Sequence, residues 1–248
     1  MKHKTKLSNI SLMHFIKLFL RSALFLGVLC LYIVMRIKGT GIFLEAQDKL
    51  PFLLLLIWIV YAAEMACRFF PSKWESPGCQ KQFLKNYKPT GKTKPRLQSW
   101  KRTFAVAMAW FALNGVIGIL YYTHLIDKGI LILISLAYGV CDMICILFFC
   151  PFQTWFMKNR CCTDCRIYNW DFAMMFTPYV FIPHFYTWSL LALSLLLLFR
   201  WEFTFRRHPE RFSEETNACV SCKECTEKLC KHKKQLIAFI RKQKFIRK

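Results

Sequence analysis

Acidic residues are scarce in this chain of 248 residues, because 14 Asp and Glu stand against 36 Lys and Arg, a formal net charge of +22. The positive charges lie in a few polar segments, which indicates contact with anionic lipid headgroups or an acidic partner and not with nucleic acid. The sequence also lacks a His-rich box, a nucleotide-binding loop and a nucleophile motif. An enzyme that acts on lipid within the membrane therefore has no supporting motif.

Apolar residues are abundant. They make up 55% of the chain and occur in long runs, which is typical of an integral membrane protein. The first run has no small-residue cleavage site before Arg36, so it is interpreted as a retained helix and not as a signal peptide. The sequence predicts an all-α membrane protein with about five transmembrane helices and a small cysteine-rich extramembrane metal domain.

The predicted organisation has four parts. The first four helices are expected at about 11–35, 50–70, 103–122 and 129–149. The parts are 1–149 with these helices and a basic loop at 71–102, a cysteine-rich loop at 150–171, a fifth membrane segment at 172–200, and a basic cysteine-rich tail at 201–248. Pro178 and Pro183 lie within the fifth segment, so it is predicted to kink or break.

Charge predicts the side on which each segment lies in a multi-pass protein of the cell membrane. The basic loop and the Lys-rich N-terminus are predicted to be cytoplasmic. Five full crossings would leave the basic tail outside, against the same rule. We therefore predict that the proline-broken segment is re-entrant or interfacial and is followed by a partial span, so that the tail and the loop 150–171 are also cytoplasmic. Five full spans with the tail outside is the alternative.

Several lysines of the basic loop are candidates for contact with the lipid surface. They are Lys81, Lys85, Lys88, Lys92 and Lys94. A lysine near an anionic bilayer contributes roughly 1 kcal/mol to binding. The loop itself is interpreted as a connection without a core of its own, because it contains several prolines, and a docking site for anionic lipid or an acidic protein is the functional alternative.

Asp142, expected near the middle of the fourth helix, is the strongest intramembrane candidate for a catalytic or transport role. An ionised carboxylate at that depth is costly, so Asp142 is predicted to face the bundle interior or to be protonated. A structural carboxyl group satisfied by Asn114 or a backbone carbonyl is the alternative. Its neighbours Cys141 and Cys145 are one turn apart and could approach a metal together, but packing is the preferred interpretation.

Charged residues in the first two helices are predicted to have ordinary interfacial roles. Lys17 and Arg21 lie near the start of the first helix and are expected to extend into the membrane interface. Glu64 and Arg68 are separated by one helical turn and are predicted to pair on one face of the second helix.

Eight of the thirteen cysteines fall in two short clusters. The loop contains Cys150, Cys161, Cys162 and Cys165, and the tail contains Cys219, Cys222, Cys225 and Cys230. Two-residue gaps between cysteines let a turn direct successive sulfurs to one centre, so both clusters are predicted metal ligands. Adjacent Cys161 and Cys162 would strain a single centre, and one of them is expected to be spare.

The tail run C-x2-C-x2-C-x4-C resembles the bacterial ferredoxin run C-x2-C-x2-C-x3-C-P, over about twelve residues. It departs from that pattern in the spacing before Cys230 and in Lys231, which stands where proline is expected. The resemblance implies one or two 4Fe–4S iron–sulfur clusters, with Cys219, Cys222 and Cys225 on one of them and a fourth ligand from Cys230 or the loop. Zinc held by four thiolates is the alternative cofactor, followed by disulfides or free thiols.

These features predict an integral membrane iron–sulfur protein that passes electrons between a soluble donor and a membrane acceptor, either a quinone or a partner subunit. Membrane lipid and a redox or membrane protein are the expected partners. The alternative is a zinc-stapled membrane scaffold or transporter subunit without a redox role, in which Asp142 marks a path through the bundle.

Overall fold

The computed structural model describes residues 9–38, 50–71, 77–158 and 165–221, and most of these residues are helical. The helices are α1 (Asn9–Ile37), α2 (Leu50–Phe69), α3 (Pro77–Gln82), α4 (Trp100–Tyr122), α5 (Lys128–Leu147), α6 (Asp171–Met175) and α7 (Phe185–Arg207). Within the described ranges the extended pairing is limited to an isolated bridge between Pro89 and Asn217. The predicted all-α class is confirmed.

Five of these helices, α1, α2, α4, α5 and α7, are long and apolar enough to cross a membrane. They correspond to the five apolar runs of the sequence. The start of α5 is fixed locally, because the Asp127 side chain caps it by accepting a hydrogen bond from the Ile130 N–H at 2.9 Å. The predicted count of five long apolar helices is therefore confirmed.

The helices pack as pairs around a layer of aromatic side chains. Helix α1 packs along α5, and α2 packs along α7. Tyr61, Phe172, Phe176 and Tyr179 are fully buried between them. The rings of Tyr61 and Phe176 meet edge to face with their centroids 5.2 Å apart, a favoured geometry for aromatic pairs. This layer joins the long helices to the chain between α5 and α7.

The chain between α5 and α7 is broken, as its prolines predict. Residues 166–181 form a 3-10 turn (Arg166–Trp170), α6, and a second 3-10 turn (Thr177–Phe181) with Pro178 in its first turn. After Pro183, the His184 side chain caps α7 by accepting a hydrogen bond from the Tyr186 N–H at 3.3 Å. Helix α7 then continues for 23 residues, so the prediction of a partial span here is wrong.

This broken segment runs from one end of the bundle to the other. At its start, the Arg166 N–H donates to the side chain of Gln98, two residues before α4. At its end, Phe181 packs on Tyr121 and Tyr122, the last residues of α4. Across the described residues the chain therefore passes along the bundle six times, five times as a long helix and once as the broken segment.

Residues 77–99 and 208–221 fold together over the end of the bundle where α2 and α7 finish, and we call this unit the polar cap. Asn217 is fully buried at its centre. Its amide nitrogen donates to the carbonyls of Lys81 at 3.1 Å and Arg211 at 2.9 Å, and its oxygen accepts from the Cys219 N–H at 3.1 Å. Hydrogen bonding through Asn217 therefore joins the start of the tail to the basic loop.

The polar cap also has an aromatic base. Trp201 of α7 packs edge to face on Phe83 and Phe212, with centroids 5.1 and 6.1 Å apart. The basic loop, predicted to lack a core, thus shares one with α7 and the tail. Of its candidate lipid-contacting lysines, Lys81 is half-buried and the rest are exposed, namely Lys85, Lys88, Lys92 and Lys94.

Candidate functional site

Arg21 of α1 is the most deeply buried charged group of the bundle interior described here, with 2% of its side chain exposed. Its guanidinium donates to Glu64 of α2, to Asp142 of α5 at 3.1 Å and to the Gly139 carbonyl at 2.9 Å. A Cβ at position 139 would lie 2.5 Å from the Tyr61 hydroxyl, so glycine is needed there. The expectation that Arg21 extends into the interface is wrong, because two other helices supply carboxylates for it.

A second buried ion pair joins α2 to the broken segment. Arg68 donates to one carboxylate oxygen of Asp171 at 2.7 Å, and a second guanidinium nitrogen lies 2.6 Å from the other oxygen in an ion pair. The guanidinium also stacks over Phe172, with its carbon 4.8 Å from the ring centroid. Glu64 and Arg68, predicted to pair with each other along α2, thus each hold a partner on another element.

Asp142 faces the bundle and not the lipid side, as the sequence predicted. It lies five residues before the end of α5, about 7.5 Å along the helix axis, and so nearer the cap end than the middle. The alternative in which Asn114 satisfies it is wrong, because the Asn114 amide donates to the Trp110 carbonyl of its own helix at 3.0 Å. Arg21 is the partner of Asp142, and the sequence offered no direct signal for this pairing.

A cavity of about 140 Å³, which we call the thiol cavity, lies beside this ion network. Two carboxylates, Asp142 and Asp171, line it, together with several aromatic and methionine side chains. The cysteines that line it are Cys141, Cys145, Cys150 and Cys165. The cavity therefore combines thiols with carboxylates in a largely apolar wall.

Cys145 and Cys150 lie on either side of the end of α5, five residues apart, and both line the thiol cavity. Helix α5 ends at Leu147, between these two cysteines, and the chain continues through the Cys150-Pro151 step into a π-helical turn at Phe152–Met157. The Gln153 N–H donates to the Cys150 sulfur at 3.3 Å. A backbone N–H that donates to a sulfur stabilises negative charge on it, so Cys150 is the thiol of the pair that favours the thiolate form.

Two of the eight predicted metal ligands, Cys150 and Cys165, line the thiol cavity. Cys219 lies in the polar cap, in the turn at Ala218–Val220. The others lie outside the described residues, namely Cys161, Cys162, Cys222, Cys225 and Cys230. In the described part of the chain no three Cys, His, Asp or Glu side chains are grouped as a metal site.

Cys145 is the site residue that the sequence interpretation missed, since packing was preferred for it. The available signal was its position five residues before Cys150, across the end of a helix that a Cys-Pro step terminates. Cys145, Cys150 and Cys165 are free of disulfides in this structure. The site is therefore described in its reduced form.

We predict that Arg21→Met destabilises the fold strongly, because Glu64 and Asp142 would remain buried without their cation. Removing one partner of a buried ion pair costs about 3–5 kcal/mol. Thermal unfolding of the protein in detergent should show a large loss of stability. The triple variant R21M/E64Q/D142N should recover part of it, since neutral side chains are less costly to bury.

Arg36→Met is the matched control for this experiment. Arg36 is also on α1 and pairs with Asp127 at 3.6 Å, but its side chain is 68% exposed. Exposed pairs contribute little, so this variant should unfold close to the wild-type temperature. Equal effects of the two arginine substitutions would contradict the structural role of Arg21.

Comparisons with protein-family models, with characterised proteins and with solved structures find no match to this chain. Neither the fold nor the site is therefore assigned by similarity. The function has to be inferred from the chemistry of the thiol cavity and from its position at the cap end of the bundle.

Proposed function

We propose that this chain is a multi-pass membrane protein whose thiol cavity is a redox site, with Cys145 and Cys150 as the electron-carrying pair. The presence of both thiols in one cavity wall, beside Asp142 and Asp171, is the observation that carries the proposal. Five long apolar helices support the membrane assignment. The activity is electron transfer between a donor on the cap side and an acceptor in the bilayer.

Oxidation of the pair joins the two sulfurs in a disulfide and releases two electrons and two protons. A membrane quinone balances this step, because it becomes a quinol by taking up both electrons and both protons. Cys150 is the attacking thiolate, since the Gln153 N–H stabilises its charge. Its sulfur bonds to the acceptor, and Cys145 then attacks that sulfur, so that the disulfide forms as the reduced acceptor leaves.

Asp142 and Asp171 line the same cavity and supply oxygen atoms that can accept the protons released by the thiols. Arg21 and Arg68 hold these carboxylates in fixed positions through 3.1 and 2.6 Å contacts. Proton transfer in the proposed reaction thus stays next to the sulfurs. Asp142 has a positioning and proton-accepting role and is not the nucleophile.

In a second form of the redox site, the cysteines hold an iron–sulfur cluster and do not form a disulfide. One or two 4Fe–4S clusters would draw on Cys150 and Cys165 together with cysteines of the loop and tail. The shared cavity of Cys150 and Cys165 and the ferredoxin-like spacing support this form. The cluster would supply one-electron steps between a soluble donor and the quinone, and four-thiolate zinc would supply none.

We further propose that the polar cap, the thiol cavity and the N-terminus are all on the cytoplasmic side. The contacts between the basic loop and the tail support this, since the Ala218 N–H donates to the Lys88 carbonyl at 2.8 Å. The broken segment supports it as well, because a sixth pass returns the tail to the side of the loop. The basic loop and the tail both have an excess of Lys and Arg, which is typical of cytoplasmic segments.

The redox pair predicts one specific disulfide. Protein purified in mild detergent under argon is treated with a short-chain quinone, and its thiols are counted by maleimide labelling and mapped by mass spectrometry of peptides. We expect two thiols per chain to be lost and the peptides of Cys145 and Cys150 to be joined. Cys145→Ser and Cys150→Ser should each abolish the reaction.

Cys30→Ser and Cys67→Ser are the matched controls, because these cysteines are exposed on α1 and α2 and do not line the cavity. Both should react like the wild type. If the purified protein contains iron and acid-labile sulfide, and if their content per chain is lower in Cys150→Ser and Cys165→Ser, the redox site is an iron–sulfur cluster. Colourless protein with stoichiometric zinc and no quinone-dependent disulfide would contradict electron transfer.

The sidedness is predicted separately. A biotin-acceptor tag is inserted into the full chain after Lys94, after Leu125 or after Glu214, and a cytoplasmic biotin ligase is expressed with it. The first and third tags should be biotinylated, because both sites belong to the polar cap, and the second should not. Labelling after Lys94 without labelling after Glu214 would contradict the sixth pass.

A further inference from the structure

A second and larger cavity, of about 590 Å³, lies between α4 and α7 with the broken segment as its floor. We call it the α4–α7 groove. Its long sides are apolar, with Ala107 and Phe111 on one side and Leu195 on the other. Several rim residues are more than half exposed, among them Phe111 at 66%, Val180 at 51% and Phe199 at 67%. The groove is therefore open along its length.

The cap end of the α4–α7 groove is polar and positively charged. Arg166 pairs with Glu202, and the Trp170 indole N–H donates to the same carboxylate at 2.8 Å. Glu202 is thereby neutralised. Arg206 also lines this end, and among the described residues it has no ion-pair partner. Counting Arg166, Arg206 and Glu202, the net charge of the three groups is +1, so this end suits an anion.

The length of the groove matches one leaflet of a bilayer. On α7 its lining extends from Leu191 to Arg206, and these 15 steps of the helix rise about 22 Å along the axis. A bilayer with its headgroups is about 40–45 Å thick, so one leaflet with its headgroups is about 20–22 Å. Trp100 lies at the cap end, at the level where tryptophan commonly marks the membrane interface.

We propose that the α4–α7 groove binds one anionic phospholipid, with an acyl chain along Phe111, Leu195 and Phe199 and the phosphate on Arg206. An apolar slot with a cationic end fits an amphiphile. An anionic lipid is favoured over a zwitterionic one, because a choline group would place a second cation beside Arg206. The proposal depends on the membrane location of the bundle and not on the redox activity of the thiols.

The bound chain would lie close to the redox site. Trp110 and Met174 line both the α4–α7 groove and the thiol cavity, so these side chains separate the two spaces. Occupancy of the groove would hold Trp110 against Tyr138, whose ring centroid is 4.7 Å from that of the indole. The lipid site therefore borders the wall that encloses the cysteines.

Quenching of tryptophan fluorescence by lipids brominated on the acyl chain tests the proposal, because Trp100, Trp110 and Trp170 line the groove. The full-length protein in detergent is titrated with brominated phosphatidylglycerol and with brominated phosphatidylcholine. We expect saturable quenching with a clear preference for the anionic lipid. Arg206→Gln should reduce that preference about fivefold, the effect of one cation at a bilayer surface.

Arg207→Gln is the matched control, since Arg207 is the next residue of α7, is also exposed, and does not line the groove. It should leave the lipid preference unchanged. Ala107→Phe should lower quenching by both lipids by filling the slot. If that variant fails to fold, the two arginine variants still decide the question.

Equal loss of preference in the two arginine variants would overturn the proposal, because it would indicate a general surface charge. Equal binding of the two lipids would also overturn it. Mass spectrometry of the purified protein identifies the lipid that copurifies with it. An isoprenoid quinone in place of a phospholipid would contradict the proposed occupant of the groove. Failure of the quinone-dependent disulfide leaves these outcomes unaffected, so the two proposals are tested independently.

Discussion

Burial of the Arg21 guanidinium among apolar helices constrains the rest of the molecule. A charge in such surroundings must be paired, and Arg21 meets Glu64 from α2 and Asp142 from α5. The pairing fixes three helices relative to one another. Arg68 and Asp171 extend the network to the broken segment, with three carboxylates facing two guanidinium groups in all.

The position of the thiol cavity follows from this network. Asp142 and Asp171 belong both to the ion pairs and to the cavity wall, so the charges that hold the helices together also border the cysteines. Helix α5 ends beside them, between Cys145 and Cys150, and both of these thiols line the cavity. The polar cap lies at the same end, so the loop and tail start from the region where the proposed chemistry occurs.

The sequence predicted the parts of the fold that depend on long apolar runs. Five long helices and the inward orientation of Asp142 followed from length, hydropathy and the cost of an exposed charge. The partner of Asp142 did not follow, because Arg21 is 121 residues away and its place near a helix start suggested an interfacial side chain. Long-range ion pairs depend on how helices rotate against one another, and no local pattern encodes that rotation.

The cysteine clusters and the α4–α7 groove show the same limit. Spacing drew attention to Cys150 and Cys165, but the rotation of α5 decides that Cys145 lines the same cavity. The groove combines residues from α4, α7 and the segment between them, and each of these residues is ordinary in its own run. The prolines correctly predicted that the chain between α5 and α7 is broken. They did not predict that this segment passes along the bundle, because that depends on where its two ends pack.

The central claim is that two cysteines at the cap end act together as one two-electron centre. An equilibrium redox titration of the purified protein, followed by thiol alkylation and mass spectrometry of the Cys145 and Cys150 peptides, tests it most directly. The account predicts one transition of both cysteines with a two-electron slope, about 30 mV for a tenfold change in the ratio of disulfide to dithiol. Independent oxidation of the two cysteines, or a one-electron transition with a paramagnetic signal, would contradict the dithiol centre.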